Sequence, residues 1–202
     1  MAIAKTPVCR LCRREGVSIC GKLNCALKRR NAIPGEHGGK RAKKMTGYGL
    51  QLREKQKAKR LYNLSEKQFK RTFLEASKAA EVTGLRLLQL LETRADNVVY
   101  RLGFAQTRRQ ARQMVSHGLF KLNGKRITIP SIRLAENETL ELKLSADSNF
   151  FTEIKERVTK YPLPGWLALD VDTMSGKVLK QPERTDMEEI VTEQLIVEFY
   201  SR

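Results

Sequence analysis

The chain has 202 residues, 41% of them apolar and 30% charged, with a formal net charge of +17. It contains no apolar run near the ~18 residues that a membrane-spanning helix needs, and its first residues lack a secretory apolar stretch, so a reduced intracellular setting is expected, which argues against a disulfide framework. A positive excess of this size calls for an anionic partner, either nucleic acid or an anionic membrane surface.

The charge is unevenly placed. Residues 1–60 hold 17 Lys and Arg against 3 acids, residues 61–93 hold 5 against 4, residues 94–133 hold 9 against 1, and residues 134–202 hold 8 against 14. Two basic zones flank a near-neutral block, the pattern expected if a long polyanion lies across both.

In chain order, the first feature is "CRLCRREGVSICGKLNC", in which Cys9, Cys12, Cys20 and Cys25 are all the cysteines of the chain. Two close pairs joined by a short loop suit a tetrahedral ion, and four thiolates leave no open position for a catalytic water. The neighbouring Arg10, Arg13, Arg14 and Lys22 favour thiolate over thiol. Zinc is the expected ion; an iron–sulfur cluster takes the same four ligands, so spacing alone leaves both open. Four buried cysteines without an ion are the bland alternative, and the segment is too polar to bury them unaided. Residues 1–47 are poor in apolar side chains, so a metal knuckle can order them where a core cannot.

Next comes a glycine-rich basic arm, "LKRRNAIPGEHGGKRAKKMTGYG", with Lys28, Arg29, Arg30, Lys40, Arg41, Lys43 and Lys44. It lacks the spacing of a phosphate-binding loop; His37 reads as a loop histidine. "LQLREKQKAKRLY" (residues 50–62) reads as a helix with Arg53, Lys55, Lys57, Lys59 and Arg60 around much of its circumference, facing phosphate or plain solvent. Ser65 and Gln68 form a capping box for a helix whose Phe69, Phe73, Ala76 and Ala80 share an inward face. Gly84–Glu92 reads as a short apolar helix.

The stretch "TRADNVVYRLGFAQTRRQARQMVSHGLFKLNGKRI" carries two short helices and a hairpin. Asp96 is placed to cap the first helix, which carries Val98, Val99 and Leu102 and ends at Gly103; Thr107 and Gln110 cap the second, which carries Ala111, Met114 and Val115 and stops at Gly118. His117 sits at that C-terminus, where positive charge is favoured. Asn123–Gly124 is a two-residue hairpin signal, with Ile127 and Ile129 in the returning strand and Thr139–Leu144 adding another. Arg10, Arg13, Arg14, Lys28, Arg29, Arg30, Lys40, Arg41, Lys43, Lys44, Arg53, Lys55, Lys57 and Arg60 of the first basic zone, and Arg94, Arg108, Arg109, Arg112, Lys121, Asn123, Lys125 and Arg126 of the second, are the candidate RNA contacts, read by shape and phosphate rather than base edge. Phe151–Tyr161 reads as a helix, Trp166 as a packing anchor within a loop–strand–turn–strand segment, and "EQLIVEFYSR" as a closing strand or helix.

These runs, with "HGGKRAKK", "LREKQKAKRLYNLSEKQF", "RADNVVYRLGFAQTRRQARQMVSHG", "PGWLALD" and "EQLIVEFYSR", resemble the bacterial-type small-subunit ribosomal protein four family over nearly the whole length. The loop between Cys12 and Cys20 is shorter than in metal-bearing members. The resemblance implies an α+β fold: a metal knuckle with basic arm (1–47), a helical domain (48–91, completed by 153–202) and an inserted small α/β RNA-binding module (92–152). It implies a non-enzymatic constituent of the small ribosomal subunit that binds the 5′ domain of small-subunit (16S) rRNA directly and early in assembly. It further implies ribosomal protein five as neighbour, a place beside the channel through which messenger RNA enters, an effect on decoding accuracy, and a location in the cytoplasmic ribosome, with an organellar ribosome also open. No membrane partner and no small-molecule substrate are expected. Two alternatives stay open in the residues alone: an RNA-modifying or RNA-regulatory protein using the same module, including repression of its own messenger, and a protein bound to a membrane surface through residues 50–62.

Overall fold

The computed structural model describes residues 7–22, 24–39, 44–143 and 149–202. In order they form α1 (Val8–Glu15), α2 (Ala26–Arg29), a 3-10 turn (Glu36–Gly39), α3 (Gly47–Leu61), α4 (Glu66–Ala76), α5 (Thr83–Glu92), α6 (Ala95–Arg101) and α7 (Arg108–Ser116). Then come β1 (Phe120–Leu122), β2 (Lys125–Ile127), β3 (Thr139–Leu142), α8 (Asn149–Lys160), β4 (Leu167–Asp170), β5 (Ser175–Val178), a second 3-10 turn (Arg184–Asp186) and α9 (Glu193–Tyr200). The chain divides into two compact units: residues 1–88 with 188–202, and residues 89–187.

The first unit is helical. Thr46 caps α3, its hydroxyl accepting the N–H of Gly49 at 3.2 Å, and Ser65 caps α4 by accepting the N–H of Gln68 at 3.3 Å. Phe69, Phe73 and Ala76 are buried on one face of α4, as their spacing predicts; Ala80 is exposed, because α4 ends at Ala76. The C-terminal segment, read as strand or helix, is the helix α9. It lies along α3 and α4: Ile196 is buried, Tyr200 stacks on Phe73 at 4.5 Å and on Phe69 at 6.4 Å, and Gln51 donates to Glu198 at 2.8 Å.

The second unit packs helices on an antiparallel sheet of order β2-β1-β3-β5-β4. Both Asn123 (φ 48°) and Gly124 (φ 79°) are left-handed, the geometry that a two-residue turn between twisted strands demands. The core joins Val98, Val99 and Leu102 of α6, Ala111, Met114 and Val115 of α7, Phe120 of β1, and Leu140 and Leu142 of β3. Ile127 belongs to this core, whereas Ile129 is exposed beyond the end of β2.

The boundaries differ from the sequence expectation. Residues 153–187 do not return to the helical unit: Ile154, Val158, Trp166, Leu167 and Val178 are buried in the core of the second unit, and the chain leaves that unit only after Met187. The reason is an edge. β3 pairs with β1 on one side, and β5 covers the other, with Leu140 opposite Gly176, so the β4–β5 hairpin supplies hydrogen-bond partners that a module ending near 152 would leave open.

Gly176 is fixed by close packing. A Cβ built there would lie 2.4 and 2.7 Å from the methyl carbons of Leu102, a fully buried residue. Gly176→Ala is therefore expected to destabilise the protein by about 1–3 kcal/mol through overpacking, read as a lower urea midpoint at unchanged m-value.

Candidate nucleic-acid interface and metal centre

The cysteines are positioned by two short helices. Cys9 and Cys12 lie one turn apart on α1, which Gly16 (φ 70°) ends in the left-handed conformation that turns the chain back. Cys25 is the N-cap of α2. The sulfurs of Cys9, Cys20 and Cys25 all lie within 4.8 Å of one another, close enough to hold a metal ion. Cys12 is fully buried and stands outside this three-sulfur group; its sulfur accepts the N–H of Ile19 at 3.3 Å. Burial, then the nearby Cys20 and Cys25, push Cys12 up to about 12 against the pull of the Ile19 N–H. Burial acts the same way on Cys25, but the N–H of Leu27 and the groups of Cys20, Ser18 and Cys12 outweigh it and bring Cys25 down to about 7. Sulfur donors converging among backbone N–H groups fit a soft, tetrahedral cation.

Around this centre Arg10, Arg14, Lys22, Lys28, Arg29 and Arg30 are exposed, as is Lys44 at the approach to α3. Arg13 differs: its Nε donates to the carbonyl of Ala32 at 2.8 Å and ties α1 to the arm. The arm residues Lys40, Arg41 and Lys43 lie outside the described residues.

The cations of α3 are not the open row that the sequence led us to expect. Glu15, whose side chain is 1% exposed, accepts from Arg53 at 3.2 Å and also from Arg60. Glu54 accepts from Lys57 at 2.7 Å and from the N–H of Thr192 at 2.8 Å. Glu66 accepts from Lys55, from Lys59 at 2.8 Å and from the hydroxyl of Tyr200 at 3.0 Å, while the Lys55 ammonium also sits 4.7 Å over the Phe199 ring. Burial alone would raise the carboxyl of Glu66; Lys55 and Lys59 overcome it and hold it at about 2. Lys55 is buried and Arg53, Lys57 and Arg60 are half-buried, so α3 is first a structural element.

The second unit sorts its cations in the same way. Asp96 does not cap α6, whose N-cap is Arg94. Instead it accepts from Arg94 at 3.1 and 3.0 Å and from Arg112 at 3.0 Å, all three side chains being buried. Arg94 and Arg112 thus bind a carboxylate inside the fold, where the sequence reading had them meeting phosphate. Glu92, fully buried, accepts from Arg101 and from Asn97; Asn97 in turn accepts from Arg108 at 2.9 Å, and the Arg108 guanidinium lies 4.4 Å over the Tyr100 ring. Thr107 caps α7 by accepting the N–H of Gln110 at 3.2 Å.

At the hairpin, Lys125 and Arg126 are exposed and Lys121, like Arg109, is half-buried. Arg126 donates to the carbonyls of Gly118 and His117 at 3.1 and 3.0 Å, so it neutralises the end of α7 that had been read as the role of His117. Asn123 serves the turn: its Oδ1 accepts the N–H of Thr139 at 3.0 Å and its amide donates to Glu138.

The sequence reading missed the acids. Residues 1–60 contain only Glu15, Glu36 and Glu54, and residues 94–133 only Asp96. An acid that is nearly alone in a basic zone was the available signal, since burial with several cations is the stable way to keep it there. Asp96→Ala removes the carboxylate from two buried guanidinium groups and is expected to cost about 3–5 kcal/mol, measured by urea denaturation.

The chain is similar to known proteins along its length. A family profile described as "Ribosomal protein S4/S9 N-terminal domain" matches residues 4–92, and one described as "S4 domain" matches residues 93–140. The chain is 51% identical to the small ribosomal subunit protein uS4 of Heliobacterium modesticaldum over 100% of both chains. It is 50% identical to that of Dictyoglomus turgidum, again over 100% of both, and 48% identical to that of Thermus thermophilus over 97% of each.

Proposed function

The chain belongs to the family of small ribosomal subunit protein uS4, and from that membership we propose that it is a structural, rRNA-binding constituent of the small subunit of a bacterial-type cytoplasmic ribosome. The observation that carries this is the match along the full length at about half identity, together with a net charge of +17 that needs a polyanion. On this reading the role is binding and not turnover, which is supported by the arginine and amide partners of the buried acids Glu15, Asp96 and Glu92.

The RNA contacts divide into two groups on this reading. Arg10, Arg14, Lys28, Arg29, Arg30 and Lys44 in the first unit and Arg109, Lys121 and Lys125 in the second reach phosphate directly, supported by their exposed or half-exposed positions. Arg94, Arg112 and Lys55 shape the surface beneath. A zinc ion held by Cys9, Cys12, Cys20 and Cys25 completes the knuckle; it supplies the crosslink that a segment with so few apolar side chains needs. The 5′ domain of 16S rRNA as the binding site, ribosomal protein five as neighbour, messenger RNA at its channel and an influence on accuracy follow from the family resemblance.

Binding to a transcript of the 16S 5′ domain should be stoichiometric and strongly salt-dependent. With about six to ten phosphates neutralised, affinity falls ~10³–10⁵-fold between 50 and 200 mM salt. A flat salt response in filter binding contradicts the proposal, and turnover of the RNA would replace it with an enzymatic role.

A further inference from the structure

Glu15 is the last residue of α1, the helix that carries Cys9 and Cys12, and its partners Arg53 and Arg60 are on α3. One buried carboxylate therefore spans the metal centre and the basic helix. The local charge does not balance. Burial pushes the Arg53 guanidinium down, Glu15 offsets that, and Arg14 and Arg60 push it down further. Two guanidinium groups, those of Arg53 and Arg60, share one carboxylate, which leaves an excess of one positive charge.

The two α3 arginines are also not used up. A guanidinium has five N–H donors in a rigid fork, and each of these uses one nitrogen on Glu15. Their side chains remain 24% and 23% exposed. The geometry is that of a half-filled site. Among the described residues each guanidinium has one nitrogen on the carboxylate and donors to spare, and the charge left over is matched by one phosphodiester.

Resting on the rRNA-binding reading above, we propose that Glu15 is a positioning residue that holds Arg53 and Arg60 as a seat for RNA backbone phosphate, and that α1, fixed by the cysteine-held metal, keeps Glu15 in place. Arg53 and Arg60 then meet RNA as a preset pair and lose little side-chain entropy on binding. The same arrangement makes the seat depend on the metal. When α1 is released, the two arginines keep their charge but lose their shared geometry, which favours loose contact with any RNA over a fitted contact with one.

The test turns on an opposition of signs. Glu15→Gln removes a negative charge, so a purely electrostatic surface would bind RNA more tightly. Positioning predicts the reverse for the fitted RNA. In the full, metal-loaded chain, Glu15→Gln should weaken binding to the 16S 5′-domain transcript roughly tenfold, the scale of one well-placed charge-assisted contact. Binding to an unrelated RNA of equal length should stay the same or tighten. Equal or tighter binding of the variant to the 5′-domain transcript overturns the proposal.

A second variant keeps the test sharp if Glu15→Gln loosens the knuckle. Glu15→Gln with Arg53→Gln and Arg60→Gln leaves amide partners and no unbalanced charge. Its salt slope should be shallower than the parent's by about 0.7–0.9 for each lost phosphate contact, with metal stoichiometry by elemental analysis recorded alongside. An unchanged slope shows that these arginines meet no phosphate and removes the proposed role of Glu15. A parent chain that fails to bind the transcript overturns the rRNA-binding reading itself.

Discussion

The structure depends on a few acids set among many cations. In a chain of net charge +17, Glu15, Glu54, Glu66, Glu92 and Asp96 each draw cationic side chains into or against the fold. Without them the two basic zones would repel themselves apart, because an unpaired buried charge costs several kcal/mol and a crowd of exposed ones favours expansion. With them, arginine and lysine become building material. α3 is held to α1 by Glu15, to the C-terminal segment by Glu54, and to α4 and α9 by Glu66 with Lys55, Lys59 and Tyr200. In the second unit Asp96 joins the start of α6 to α7, and Glu92 joins the end of α5 to α6.

Two populations of cation result, and they do different physical work. The inner population gives up hydration and mobility for a fixed carboxylate partner. The outer population stays in water, and its counterions are available for release when a polyanion binds. Where apolar side chains are few, the sulfurs of Cys9, Cys20 and Cys25 come together between α1 and α2, from which Arg10, Arg14, Lys28 and Arg29 extend. A surface that recognises folded RNA by shape must be rigid before the RNA arrives, and these buried pairs and thiols make a polar, basic chain rigid.

Much of this was legible in the sequence. Side-chain caps at Ser65 and Thr107, the Asn123–Gly124 turn, the inward faces of α4, α6 and α7, and the clustering of thiols all follow local rules, and the structure follows them. What could not be read was tertiary. Whether Arg112 faces solvent or Asp96 depends on α6 and α7 packing together, which periodicity does not encode. The same holds for α3, where Arg53 and Arg60 find a carboxylate 38 and 45 residues away. The β4–β5 hairpin joins β3 because β3 has an open edge, a fact about the sheet and not about residues 167–178. The isolation of acids in basic zones was the one compositional trace of all this.

The most direct measurement is the reactivity of individual lysines toward an amine-acylating reagent, with and without the 16S 5′-domain transcript, read by mass spectrometry. If the cations are divided as described, Lys28, Lys44 and Lys125 react readily in the isolated chain and are protected by RNA. Lys55, buried between Glu66 and the Phe199 ring, stays unreactive in both states. Uniform reactivity of Lys55 with Lys125 in the isolated chain, or RNA protection confined to the α3 lysines, would contradict the account.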